Sequence, residues 1–154
     1  MKRPLAVVLV CLGPLLVGCG DEPDDRTPSP PTVVRHDLAP LTTRFPALGE
    51  PSAASWVTWN SHHPDDRGVP GPTTYWIDAV VSLAPAVVNA LVRDHQPVPE
   101  GEVPDVQDLL RPELPAGPYL TDARLDLAFT TPELATAAYL DPSAHVLVLR
   151  STGM

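Results

Sequence analysis

The sequence predicts an α+β domain: a small, mostly antiparallel sheet of about four strands, three or four short helices on one face, and a C-terminal β-hairpin. Three observations predict it. TTYWIDAVVSL, residues 73–83, alternates with the period of a strand, with Tyr75, Ile77, Ala79, Val81 and Leu83 on one face and Trp76, Asp78, Val80 and Ser82 on the other. Near the end of the chain, LATAAYLDPSAHVLVLRS sets two strand-like runs on either side of Asp141-Pro142-Ser143, a sequence that starts a turn. Prolines, 21 in 154 residues, interrupt the chain too often for long helices.

The other elements follow in order. Asp37 is placed to cap a short helix that carries Leu38, Leu41 and Phe45 at helical spacing and ends before Pro46. SAASWVTWNS, with Trp56, Val57, Thr58 and Trp59 together, favours a strand. HHPDDRGVPGP, residues 62–72, has the punctuation of a loop. Pro85 suits the first turn of a helix in PAVVNALVRDH, whose apolar stripe is Val88, Leu91 and Val92. The proline-rich stretch beyond it has room for a short helix from Pro104 to Arg111, and TDARLDLAF for another with Thr121 as its cap. No internal repeat is visible.

Residues 1–18 read as an export signal. Lys2 and Arg3 form a positive start, and Leu5 to Val17 form an apolar run of thirteen residues. A membrane-spanning helix needs roughly 20, so the run is expected to be a cleaved leader. Its end, Leu16-Val17-Gly18-Cys19, resembles the lipobox of bacterial lipoproteins. The resemblance implies cleavage before Cys19 and a diacylglyceryl thioether on its sulfur. Each buried CH₂ contributes about 0.8 kcal/mol, so more than one acyl chain is needed for a stable anchor. The alternatives for Cys19 are weaker: Cys11, its one possible disulfide partner, lies in the leader, and no metal ligands cluster around it.

Residues 19–34 then form the lipidated cysteine and a tether, acidic at first and proline-rich afterwards, with too little apolar surface to order itself. As a flexible coil, fifteen residues reach roughly 20 Å. Residues 35–154 form a single small globular domain. This organisation predicts an exported protein on the outer face of the cytoplasmic membrane, held there by its lipid.

Charge and cysteine content exclude several function classes. The net charge of −9 becomes −11 once Lys2 and Arg3 leave, and every remaining basic residue is arginine. No basic patch is available for nucleic acid. With no cysteine beyond Cys19, the domain has no disulfide, thiolate metal site or cysteine nucleophile.

Three residue sets are candidates for chemistry. His62, His63, Asp65 and Asp66 offer imidazole and carboxylate ligands suited to zinc or a similar ion. Adjacent residues of an extended chain point apart, however, and a solvated loop explains the same composition. Asp78 is a charge inside an apolar strand. It is a buried acid or base, an outward residue on a half-wet face, or the partner of an arginine such as Arg67 or Arg124. The aromatic set Trp56, Trp59, Tyr75 and Trp76 lies on neighbouring strands, and its tryptophans are either core residues or contacts for a sugar ring or protein partner. No G-x-S-x-G elbow and no phosphate-cradling glycine loop is present.

The ordered set RFPALG, VPGPTTYWIDAVVSLAP, RPELPAG, LDLAF and AYLDP is similar to small actinobacterial lipoproteins of unknown function. That resemblance spans about residues 41–149 and implies the anchor but no activity. The expected function is therefore a non-enzymatic binding or accessory module of the cell envelope, with an envelope protein or cell-wall glycan as partner and no cofactor. The alternative is a small metal-dependent hydrolase built on the His62–Asp66 loop.

Overall fold

A computed structural model describes residues 32–61, 73–100 and 102–154. The leader, Cys19, most of the tether and the loop with His62, His63, Asp65 and Asp66 lie outside the described residues. Among the described residues no helix is long and apolar enough to cross a membrane.

The α+β class is present, with six antiparallel strands where about four were expected. They are β1 (Ala53–Asn60), β2 (Tyr75–Ser82), β3 (Val98–Pro99), β4 (Leu120–Thr121), β5 (Leu134–Asp141) and β6 (Val146–Gly153). The sheet order is β1-β2-β6-β5-β4-β3. The two unexpected strands, β3 and β4, have only two residues each, too short for an alternating pattern to show. The hairpin around Asp141-Pro142-Ser143 forms as β5 and β6, with Asp141 opposite Val146.

β2 and β6 occupy the middle of the sheet and are covered on both faces, which accounts for the runs Ala79-Val80-Val81 and Leu147-Val148-Leu149. One face carries the main core. α1 (Leu38–Arg44), α2 (Pro85–His95) and α3 (Ala123–Phe129) bring Leu41, Val88, Leu91, Leu125 and Phe129 against Ile77, Ala79, Leu147 and Leu149. The 3₁₀ turn Pro46–Leu48 adds Leu48 to the same cluster.

The opposite face is closed by a strap, residues 102–119, that packs Val106, Leu110 and Tyr119 on Val57, Val80 and Val148. The helix expected from Pro104 to Arg111 is not formed. A 3₁₀ helix, Asp108–Glu113, takes its place and contains Pro112, which cannot donate to an α-helical ladder. Gln107 starts it, its side-chain oxygen accepting from the Leu109 N–H at 2.9 Å.

Two expected caps also differ. Asp37 precedes α1, but its carboxylate pairs with Arg35 at 2.8 Å rather than with a helix N–H. Asp122 caps α3 by accepting from the Arg124 N–H at 2.8 Å, and Thr121 belongs to β4.

Gly153 allows the edge of the main core to close. A Cβ there would stand 2.5 Å from Tyr75 Cζ and 2.7 Å from the Glu133 carbonyl oxygen. The ring can turn, but the backbone oxygen belongs to the tight turn leading into β5. Gly153→Ala is expected to cost about 1–3 kcal/mol by overpacking. Urea denaturation checks this; an unchanged midpoint would mean that the end of β6 does not hold this position.

Candidate functional site

The face closed by the strap is only partly covered. At the end of the sheet nearest the β1–β2 connection lies an open cleft of about 530 Å³. Strand register decides which side chains meet there. Trp59 pairs with Trp76, Trp76 with Thr152, and Thr152 with Ala135, forming one row across four strands. The next row holds Val57, Asp78, Arg150 and Ala137. Alanines on β5 leave room above the sheet, while Asp105, Val106 and Gln107 of the strap form a wall.

Trp59 and Trp76 stack on each other, with ring centroids 5.8 Å apart and planes inclined by 16°. Both are half-buried and line the cleft. Trp56 does not join them. Its position has the opposite parity on β1, so it enters the main core at 5% exposure and donates its indole N–H to the Asp37 carbonyl at 3.0 Å. The Arg35 guanidinium lies over its ring at 4.2 Å.

Asp78 is 4% exposed. Its Oδ2 accepts from the Gln107 N–H at 2.7 Å and so ties the strap to the sheet. Burial pushes its carboxyl pKa up; the Gln107 N–H and the charge of Arg150 act in the opposite direction, and Asp105 in the same one. Among the described residues the basic residue facing Asp78 is thus Arg150, its register partner on β6, rather than Arg124; Arg67 lies outside the described residues. Arg150 has an unusual feature of its own: its Nε is buried and has no hydrogen-bond partner among the described residues. Buried polar atoms are nearly always satisfied, so an unmatched one calls for an explanation. Asp105, by contrast, is balanced by Arg111, which bridges it and Asp108 at 2.8 Å each.

The raised pKa gives a signed prediction. The folded protein holds the Asp78 proton more tightly than the unfolded chain does. Stability therefore falls as pH rises from the ordinary carboxylate value of 3.8 to the raised one, and the loss is complete above it. Asp78→Asn keeps an oxygen for Gln107 and removes the titration. Its stability relative to the parent is expected to increase with pH across that window, as measured by denaturation at a series of pH values. Asp126 is shifted the same way by burial, and the difference between the two proteins cancels its contribution. A difference independent of pH would contradict the burial of an ionisable Asp78.

Sequence reasoning named Trp59, Trp76 and Asp78, and the fold brings them together in one cleft. It missed Arg150, Gln107 and Thr152. A parity argument could have found Arg150: in VLVLRS it shares a face with Val146 and Val148, as Asp78 does with Val80. Among the described residues, no group of three or more His, Cys, Asp or Glu is arranged to hold a metal ion. Comparisons with protein-family models, curated proteins and solved structures found no match.

Proposed function

We propose that this protein is a lipid-anchored, extracytoplasmic binding module whose ligand occupies the tryptophan-lined cleft. The observation that carries the reading is the cleft itself, where two stacked tryptophans stand beside a buried Asp78 and an Arg150 whose Nε–H is unmatched among the described residues. A site of about 530 Å³ with an aromatic wall and a few convergent polar groups has the size and make-up of a small-ligand pocket. Among the described residues its polar groups lack the arrangement of a nucleophile and base, which favours binding over catalysis. The LVGC sequence supports the anchor, and the acidic, proline-rich tether supports a domain held off an anionic membrane surface.

Two measurements test the two halves of this reading. For the anchor, Cys19→Ser is expected to move the protein out of the detergent-rich phase of a membrane extract; retention there would refute lipid attachment at Cys19. For the site, the three tryptophans provide three indole N–H resonances. A soluble extract of the cell envelope is expected to shift those of Trp59 and Trp76 and leave that of Trp56, on the opposite face, in place. No shift, or a shift of Trp56 alone, would overturn the assignment of the cleft.

A further inference from the structure

We infer that the cleft takes an uncharged saccharide: a pyranose ring set against the Trp59–Trp76 pair, with neighbouring hydroxyls hydrogen-bonded to Asp78 and Arg150. The inference rests on the binding-module reading above and adds the chemistry of the ligand.

The two polar groups on the floor make different demands. Asp78 commits Oδ2 to the Gln107 N–H, and its carboxylate lines the cleft as an acceptor. Arg150 presents a buried Nε–H that has no acceptor among the described residues. A buried donor left without a partner is costly, so the two groups together favour a ligand that can both accept and donate. They sit side by side, since Asp78 and Arg150 are register partners on adjacent strands. A ligand that satisfies both must therefore offer a donor and an acceptor within a few ångströms. A hydroxyl group does both, and a ring with hydroxyls on adjacent carbons does so without choosing between them.

Other ligand classes fit less well. A carboxylate or phosphate would have to compete with Asp78 for Arg150, in a chain of net charge −9. A cation would meet the Arg150 guanidinium. A wholly apolar ligand would cover both polar groups and satisfy neither. The walls also suit a sugar. Trp59 and Trp76 supply broad aromatic surface for the C–H face of a pyranose, and Ala135, Ala137 and Thr152 keep the floor low enough to admit a ring. Asp78 and Arg150 compensate each other's charge across the register, so the floor is close to neutral, which matches an uncharged ligand.

The test titrates the full chain, solubilised in a detergent without a sugar headgroup, with defined saccharides while the indole resonances are followed. The panel holds neutral hexoses and N-acetylhexosamines, their two- to six-residue oligomers, uronic-acid oligomers and glucosamine oligomers. At least one neutral series is expected to shift the Trp59 and Trp76 resonances saturably, with Trp56 unmoved. Trp76→Ala is expected to weaken that binding at least tenfold, and Arg150→Gln to weaken it several-fold. Tighter binding of oligomers than of single sugars would identify a glycan chain as the source, and equal binding a free sugar; both support the proposal. A preference for uronic acids would overturn it in favour of an anion site on Arg150. A panel with no response overturns the saccharide. If an envelope extract still shifts Trp59 and Trp76, the module reading survives that failure; if it does not, both fall. The resonances of the unsubstituted protein carry the result even where the Arg150 variant fails to fold.

Discussion

Replacing Trp56 by alanine is expected to lower the unfolding free energy by about 3–5 kcal/mol, among the largest effects of any single substitution in the domain. The ring is 5% exposed and sits in the main core with Leu41, Phe45 and Ile77. It also fastens the chain that leads into α1. Its backbone exchanges two hydrogen bonds with Arg35, at 2.8 and 2.9 Å, and its indole N–H reaches the Asp37 carbonyl at 3.0 Å. The Arg35 guanidinium covers the ring at 4.2 Å while pairing with Asp37. Alanine removes the ring, the indole hydrogen bond and the surface on which Arg35 rests. Phenylalanine refills most of the volume and keeps an aromatic face, so Trp56→Phe is expected to cost about 1–2 kcal/mol, chiefly for the hydrogen bond left unmade at Asp37. Urea denaturation with an unchanged slope measures both. A cost under 1 kcal/mol for Trp56→Ala would remove Trp56 from the core. The Trp59 and Trp76 resonances are expected to respond to ligand in the Trp56 variants as in the parent, which separates the core tryptophan from the cleft pair.

That separation was partly legible in the sequence. Residues three apart on a strand point to opposite faces, so Trp56 and Trp59 cannot share a site once β1 is accepted as a strand. The sequence does not say which of the two faces is the core. The alternation of β2 was legible for the same reason, and the β5–β6 hairpin because Asp141-Pro142-Ser143 punctuates two apolar runs. The strap was not. Val106, Leu110 and Leu114 fall four apart, which points to an α-helix, but the prolines around them break it, and these apolar residues find their face only after the sheet exists. The Asp78–Arg150 pairing escaped local reading because β2 reaches β6 only after α2, the strap and α3 have intervened. Long-range register is a property of the assembled sheet, and this cleft is made almost wholly of it.

The second large effect belongs to Asp141. Replacing it by alanine is expected to cost about 3 kcal/mol at neutral pH, and less as the solution is acidified. Asp141 is 1% exposed, with Oδ1 accepting from the Ser143 N–H at 2.9 Å, the Ser143 hydroxyl at 2.6 Å and the Ala144 N–H at 3.0 Å. The Gly117 N–H, near the far end of the strap, also favours its charged form. Burial alone would push its pKa up, but the hydrogen bonds from Ser143, Ala144 and Gly117 outweigh burial and hold it below the ordinary value. Asp78 thus ties the strap to the sheet, while Asp141 holds the β5–β6 turn. Because the folded pKa is lowered, the stabilisation is fully present above the unfolded value of 3.8 and is lost as pH falls through the folded one. This sign is opposite to that for Asp78, whose ionisation burial opposes. Asp141→Ala leaves the Ser143 and Ala144 N–H groups and the Ser143 hydroxyl without their acceptor, whereas Asp141→Asn keeps one amide oxygen and is expected to lose about half as much. Denaturation at pH 7 and again below pH 3 checks both the size and the sign. A cost that stays constant with pH would mean that the loss reflects packing alone and that the carboxylate does not hold the turn.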